Sequence, residues 1–394
     1  MPADPAALDR LAALDAPAGR ELQELVRGLD PGADTALREG SRLRERFPAD
    51  LVAEAFTQAQ LRARAAGAFA RADRMYLTRA GWEQASAEVV ARHRAARYAG
   101  AARVADLCCG IGGDLVALAG RADVLGVDRD PVHLWCAAAN ARAYDVADRV
   151  ALREADVREV DLAGVDAVFV DPARRAGATR LRAGDGEPPL DWCTALTGAV
   201  PAVGIKAAPG LPAEAAPPGW EREFVAVHRE LKEAALWSPA LATAPARATV
   251  LPGPHTLVDD GGGAVPVAEP GAFLLDPNPA VTRAGLVETL ARAADACKID
   301  DRIAFLTRDT AVRTPFARTL QVLDSGPWRE KELPARLRRL DVGAVDVRRR
   351  GLAGDVDALQ RRLRLTGSRK ATLVMTRVRD QPWAMVCVDL PSGS

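Results

Sequence analysis

From Arg103 onward the chain alternates short apolar runs with helical stretches, and the first four runs carry an acidic residue at or close to their ends. They are Val104-Ala105-Asp106-Leu107, Val124-Leu125-Gly126-Val127-Asp128, Val150-Ala151-Leu152 (followed by Glu154-Ala155-Asp156), Ala167-Val168-Phe169-Val170-Asp171 and Val203-Gly204-Ile205-Lys206. Helices are expected from about Gly113 and over Pro131 to Tyr144. Strands separated by helices build βαβ units and a mostly parallel sheet. Strands of such a sheet are covered on both faces, which explains continuous rather than alternating apolar character. Phe224-Val225-Ala226-Val227 and Ala248-Thr249-Val250-Leu251 are expected as the last strands, an antiparallel pair at the sheet edge.

The first run leads into Cys109-Gly110-Ile111-Gly112-Gly113-Asp114. Glycine lets a backbone turn sharply and approach a ligand closely, and a helix starting there points free N–H groups at the bound group. Ligands of open parallel sheets bind at the carboxyl ends of the strands. A glycine-rich turn alone is a weak signal, but Asp128 ends the second strand, where a carboxylate can bind both hydroxyls of a ribose. A dinucleotide fingerprint needs Gly-x-Gly-x-x-Gly; counted from Gly110, its third position is Leu115, so the fingerprint fails. Asp106 would also oppose a pyrophosphate and suits a cationic amino group better. Asp156 is placed to accept a hydrogen bond from an adenine amino group. Any one of these aspartates could be a helix cap; all four in register with the loop are harder to explain that way.

Residues 1–100 lack strand-like segments. Leu8, Leu11, Leu14, Leu22, Leu25, Val26 and Leu29 recur at helical spacing, as do Leu51, Val52, Ala55, Phe56 and Ala59. A third helix is expected from about Arg79 to Tyr98. Residues 252–272, with Gly261-Gly262-Gly263, read as a linker or exposed hairpin. Beyond it, helices near Val281–Ala296, Leu333–Leu340 and Val356–Leu363 alternate with strands at Ile303–Thr307, Thr319–Leu323, Val345–Arg348, Thr372–Arg377 and Met385–Val388. The expected fold is therefore α/β: a Rossmann-like sheet at 101–255, an N-terminal helical subdomain at 1–100, and a small α+β domain at 270–394.

With 394 residues, 48% hydrophobic and 27% charged, the chain can bury cores for two or three domains. Its formal net charge is zero, which excludes a whole-chain polycation but not a local basic face. The start, Met1-Pro2-Ala3-Asp4-Pro5, has no positive flank or apolar core, so no signal peptide is expected, and no run approaches the ~20 apolar residues of a membrane span. The six cysteines form no Cys-x-x-Cys pair and histidines number four. No metal site is expected, and reduced cysteines suit a cytoplasmic protein. Oligomeric state is not legible.

Asp106–Asp114, Gly126–Asp128, Glu154–Asp156 and Asp171–Arg175 resemble motifs I to IV of class I S-adenosylmethionine-dependent methyltransferases. Leu77-Thr78-Arg79, Glu83-Gln84-Ala85-Ser86, Asp171-Pro172-Ala173-Arg174-Arg175 and Leu231-Lys232-Glu233 resemble the bacterial members that carry a C-terminal THUMP-like domain, and Thr366-Gly367 and Val374-Met375-Thr376-Arg377 are consistent with that domain. The resemblance implies S-adenosyl-L-methionine as cofactor. By position, Asp106, Gly110 and Gly112 would hold the methionine portion, with Cys108 in the same loop, Asp128 would bind the ribose and Asp156 would contact adenine. Asp171, followed by Pro172, would stand beside the transferable methyl group.

Amino-methylating enzymes resembling this fold often carry Asp/Asn-Pro-Pro-aromatic, whose ring stacks a flipped base. Ala173 and Arg174 replace its last two residues, so Arg174 is expected at the catalytic site and Arg174 and Arg175 could clamp phosphate or pair with carboxylates. Lys206 is a candidate substrate contact. A cysteine nucleophile is not indicated: Cys193 reads as a buried helix residue. Residues 331–379 hold 14 Lys or Arg against 5 Asp or Glu. This local excess, carried mostly by Arg348-Arg349-Arg350, Arg361-Arg362, Arg364 and Arg369-Lys370, suggests a grip on an RNA backbone, with Arg348, Arg349 and Arg350 as candidate contacts, and THUMP domains are associated with RNA-modifying enzymes. The expected function is methylation of RNA (tRNA or rRNA). The alternatives are a small-molecule or protein methyltransferase, and a non-catalytic RNA-binding protein with a degenerate cofactor pocket.

Overall fold

The computed structural model of the chain describes residues 5–29, 33–173, 175–176, 179–180 and 186–390. It divides into two compact units. One runs to Glu221 and takes up Glu233–Thr243; the other holds Arg222–Lys232 and the chain from Ala244 onward.

The first unit begins with helices α1 (Pro5–Asp15), α2 (Pro17–Arg27), α3 (Ala33–Leu43) and α4 (Ala49–Ala65). Leu11 and Leu14 on α1, Leu22 and Val26 on α2, and Leu51, Val52, Ala55 and Phe56 on α4 bury together, as their spacing of three or four requires. Leu25 departs from the expected stripe and faces solvent, 42% exposed. The single helix expected over Arg79 to Tyr98 is broken. It forms α5 (Arg79–Gln84), α6 (Glu88–Ala95) and a 3₁₀ turn at Ala96–Tyr98, because Ala85 and Ala87 are extended. Tertiary partners hold the break open: Glu88 N donates to Ala68 O and Ser86 Oγ accepts from Arg94 Nη2 at 2.7 Å.

Next come β1 (Arg103–Leu107), α7 (Leu115–Ala119), β2 (Asp123–Asp128), α8 (Pro131–Ala143), β3 (Val150–Glu154), β4 (Ala167–Val170), a ribbon of β5 (Arg175–Ala176) and β6 (Thr179–Arg180), α9 (Leu190–Ala195) and β7 (Ala202–Ala207). The strand order is β7-β4-β1-β2-β3, all parallel. From β1 the chain winds outward through β2 and β3, then crosses back to β4 and β7. The order therefore reverses between β1 and β4, the position at which open α/β sheets form their ligand crevice. The crevice lies at Leu107 and Asp171, whose backbones are joined by Asp171 N donating to Leu107 O at 3.1 Å.

The expected last strands form β8 (Glu221–Val227) and β10 (Ala246–Leu251), but they pair in parallel. The chain reverses an extra time through β9 (Glu230–Trp237), whose later half pairs antiparallel with β7. The antiparallel partner of β10 is β11 (His255–Val258), which occupies part of the segment expected as a linker.

The rest of the second unit consists of β12 (Phe273–Pro277), α10 (Pro279–Ala284), α11 (Val287–Ala293), β13 (Cys297–Lys298), β14 (Leu306–Arg308), β15 (Ala317–Pro327), α12 (Leu333–Arg339), β16 (Val342–Arg349), α13 (Val356–Leu363), β17 (Arg369–Val378) and β18 (Gln381–Asp389). Its sheet runs β13-β14-β12-β15-β18-β17-β16. Leu333, Leu337, Leu359 and Leu363 from the last two helices bury with Leu373, Met375 and Val386 of that sheet. The expected helix over Val281 to Ala296 is two, divided where Gly285 takes φ 78°, a left-handed turn that ends a helix. Among the described residues no helix is long and apolar enough to cross a membrane, and no group of three or more His, Cys, Asp or Glu could hold a metal ion.

Candidate cofactor and catalytic site

The loop after β1 turns at three residues of positive φ: Cys108 (63°), Gly110 (54°) and Gly112 (85°). At Gly112 a Cβ would sit 3.2 Å from Ala137 Cα of α8, so glycine is needed for both conformation and close approach. A Cβ at Gly110 would meet nothing within 4 Å; the loop is open on that side, as a ligand cradle must be. Asp128 fixes the loop from below. Its Oδ2 accepts from Gly110 N at 2.8 Å and its Oδ1 from Asp130 N at 2.9 Å. Carboxylate oxygens have further lone pairs, so Asp128 can still accept from ribose hydroxyls. Asn140, fully buried on α8, donates to Ile111 O at 2.8 Å and to Tyr76 O at 3.0 Å, and accepts from Tyr76 N at 2.8 Å. It ties the loop to the segment before α5.

Asp106 stands beneath the loop, 1% exposed, and neither carboxylate oxygen has a hydrogen-bond donor. Burial, reinforced by Asp114 and Asp171, pushes its carboxyl well above the usual range. A buried carboxylate without donors is expensive. A cationic ammonium, such as the amino group of a methionine moiety, supplies both the charge and the donors that Asp106 lacks. The residues present thus fit the methionine end of S-adenosylmethionine.

At the crevice, Asp171 Oδ2 accepts from Lys206 Nζ at 2.6 Å, and the same Nζ donates to Gln84 O at 3.3 Å. The side chain of Lys206 is buried while that of Asp171 is 24% exposed, so the lysine holds the carboxylate from within and leaves its outer edge accessible. Pro172 is buried, and Gly186 packs so closely on it that a Cβ there would lie 2.7 Å from Pro172 Cβ. Arg174 lies outside the described residues. Arg175 begins β5, and its side chain also lies outside them.

Asp156 caps a 3₁₀ turn, its Oδ1 accepting from Arg158 N at 3.0 Å. The cap alternative raised from sequence is therefore realised at this residue, whose side chain stays 37% exposed. Burial pushes the thiols of Cys108 and Cys109 up, and burial takes that of Cys193 up to about 12. These cysteines are held as thiols rather than reactive thiolates.

Sequence reasoning did not find the group supporting the far end of the loop. Arg94, buried on α6, donates from Nε to Asp114 Oδ1 at 3.0 Å and from Nη1 to Glu233, and lies 4.8 Å over the Phe169 ring. Nothing in the local pattern marks Arg94 as different from its neighbours.

In the second unit, two of the three consecutive arginines share a carboxylate partner and the third does not. Arg348 Nε and Arg350 Nη2 lie 3.9 and 3.6 Å from the buried Asp276. Arg350 also donates to Ala304 O at 2.8 Å and covers the Phe305 ring, while Arg349 donates to Gly354 O.

An open parallel sheet, a glycine loop at its switch point and acidic residues at successive strand ends define a Rossmann-like methyltransferase. Comparison with known proteins gives the same class. Residues 101–181 match the family described as RNA cap guanine-N2 methyltransferase, residues 317–388 a THUMP domain-like family, and residues 7–65 a domain of unknown function. An uncharacterized S-adenosylmethionine-dependent methyltransferase of Mycobacterium tuberculosis is 37% identical over 307 residues, covering 75% of this chain and 83% of the relative. A putative methyltransferase from Porphyromonas gingivalis W83 shares the fold across 99% of both chains, with a TM-score of 0.76 at 19% identity. The chain belongs to the class I S-adenosylmethionine-dependent methyltransferases with a C-terminal THUMP-like domain. It is an enzyme, and S-adenosylmethionine is its cofactor.

Proposed function

We infer that this methyltransferase acts on RNA, with a structured tRNA or rRNA as the substrate class. The observation that carries this is the charge of the THUMP-like region. Its excess of nine positive charges over residues 331–379 includes Arg361, Arg364 and Arg369, exposed side chains with no carboxylate at ion-pair distance among the described residues. Unpaired surface guanidiniums are available to phosphates. Arg348 and Arg349, also exposed, would extend this grip. The description of the family matched over residues 101–181 names RNA, and the THUMP-like match over residues 317–388 is in keeping with it. Few aromatics accompany the basic residues, which favours recognition of folded RNA over stacking on single strands.

S-adenosylmethionine supplies a methyl group already activated on a sulfonium, so the protein's task is mainly alignment. Asp106 would take the ammonium, Gly110 and Gly112 would admit the methionine backbone beside Cys108, Asp128 would hold the ribose, and Asp156 would face the adenine. Asp171, anchored through Oδ2 by Lys206, would use Oδ1 to orient an N–H or O–H of the RNA acceptor. Pro172 keeps that carboxylate's backbone fixed, and Arg174 and Arg175 would meet the acceptor's phosphates.

The test is nucleoside mass spectrometry of RNA from a deletion strain and its parent. One methylated nucleoside should be missing, and the purified enzyme should restore it. Identical nucleoside profiles, together with methyl transfer to a protein or metabolite fraction, would overturn the RNA assignment in favour of a small-molecule or protein substrate.

A further inference from the structure

A polar cavity of about 370 Å³ lies in the first unit, between α2, α4, the segment after α4, and α8. It is distinct from the crevice at Asp171. Five arginines and three carboxylates line it, an excess of two positive charges. Two of the arginines are already neutralised: Arg142 pairs with Asp15 at 2.9 Å and Arg27 with Glu24 at 2.9 Å. Arg20, Arg62 and Arg74 have no carboxylate within ion-pair distance among the described residues.

Arg62 is the most telling of the three. It is half-buried, with its guanidinium 5.2 Å over the Tyr76 ring, and Nε donates to Met75 O at 2.7 Å. Burial is the largest influence and works against its charge, as does the nearby Arg27, while Tyr76 and Asp73 favour it, and the balance lies on the side of burial. A partly desolvated guanidinium with Asp73 nearby but no carboxylate at ion-pair distance among the described residues is incompletely compensated and marks where an anion would be gained. Further polar groups line the same cavity: Gln23 donates to Tyr76 Oη at 3.0 Å, and Tyr76 Oη lies 3.2 Å from the carboxylate oxygen Asp15 Oδ1, whose charge is paired with Arg142. The cavity is of ligand size, larger than one phosphate needs. We propose that it binds a phosphate monoester of about nucleotide size, with Arg20, Arg62 and Arg74 on the phosphate and the Gln23, Tyr76 and Asp15 side on the sugar or base. The ligand is either a free nucleotide or the 5′-phosphorylated end of an RNA.

The test uses the full chain saturated with S-adenosylhomocysteine, so that adenosine-containing probes cannot enter the cofactor site. Calorimetric titration should show binding of adenosine 5′-monophosphate, competition by inorganic phosphate, and at least tenfold weaker binding of adenosine. The double variant R20A/R74A, at two exposed positions, should weaken the monophosphate by at least tenfold and leave S-adenosylhomocysteine affinity and melting temperature unchanged. Arg62→Met should weaken it as well. A short oligoribonucleotide with a 5′-phosphate binding better than its 5′-hydroxyl counterpart would identify the RNA end as the source; no difference between them, with the monophosphate still bound, would identify a free nucleotide. No binding of either monophosphate or inorganic phosphate, or equal monophosphate binding by R20A/R74A, overturns the proposal. The readout requires no methyl transfer, so it stands or falls separately from the RNA assignment.

Discussion

Lys206 Nζ lies 2.6 Å from Asp171 Oδ2, joining the ends of two adjacent parallel strands. The sequence pattern puts both at the rim with the lysine as a substrate contact; in the structure its side chain is buried and reaches the Asp171 carboxylate and Gln84 O. We propose that it acts as a positioning residue. Lys206→Met should lower kcat by on the order of 10- to 100-fold, the usual cost of a misplaced reacting geometry, with S-adenosylmethionine affinity unchanged. Lys206→Arg should recover part of the loss. Steady-state kinetics beside cofactor titration make the check; a variant that loses cofactor affinity but keeps kcat would show that Lys206 serves the cofactor instead.

Asp106 makes a prediction about pH. Burial first, then Asp114 and Asp171, raise its carboxyl in the folded state. A raised acid favours its protonated form, so the stability it contributes is full below the usual carboxylate range and is lost as pH rises through the raised value. The cofactor-free protein should therefore become less stable as pH increases through that window, and bind S-adenosylmethionine more tightly as Asp106 ionises. Asp106→Asn should flatten the dependence and raise the melting temperature of the cofactor-free protein at neutral pH. It should weaken the cofactor by roughly 10- to 100-fold, the loss of a hydrogen bond to a charged group. Thermal melts across about pH 5 to 8 and calorimetry read both effects.

Arg94, Asp114 and Glu233 should behave as one unit. Removing the cation in Arg94→Met strands two buried carboxylates, which costs on the order of 3–5 kcal/mol when a buried pair is broken. Glu233→Gln leaves Arg94 with Asp114 and should cost less. Denaturant unfolding would order the two variants; equal stability of Arg94→Met and the parent would refute the structural role assigned to Arg94.

These cases show why some parts of the site were readable and others were not. The ligand loop was legible because its chemistry is local: glycines at positive φ and carboxylates at strand ends sit in short stretches of chain. Arg94 was not, because its partners stand 20 and 139 residues away. Asn140 reaches partners 29 and 64 residues away from the middle of an ordinary-looking helix. The break at Ala85–Ala87 likewise depends on the distant Ala68 and Arg94, while the helical pattern of the sequence runs straight through it. The parallel pairing of β8 and β10 depends on β9 adding a reversal, which no periodicity in either strand records. Leu25 fits the helical spacing but lies just off the buried arc, because spacing defines a stripe and only packing fixes its width.

The last prediction separates the arginines of the THUMP-like region. Composition alone does not rank Arg348, Arg349 and Arg350 against Arg361, Arg362, Arg364, Arg369 and Lys370. Arg348 and Arg350 face the buried Asp276 carboxylate, and Arg350 is also spent on Ala304 O and the Phe305 ring. A guanidinium already paired releases little when a phosphate arrives. Arg361, Arg364 and Arg369 are exposed and lack such partners among the described residues. Replacing all three with alanine should reduce the slope of log affinity against log salt by roughly 2 to 3, because each phosphate contact contributes about 0.7–0.9. Replacing Arg348 and Arg350 should change the slope less and lower the melting temperature instead, since Asp276 then loses two of its cations. RNA binding measured over a salt series for both variants distinguishes the two groups, and an unchanged slope in the triple variant would remove Arg361, Arg364 and Arg369 from the RNA contact.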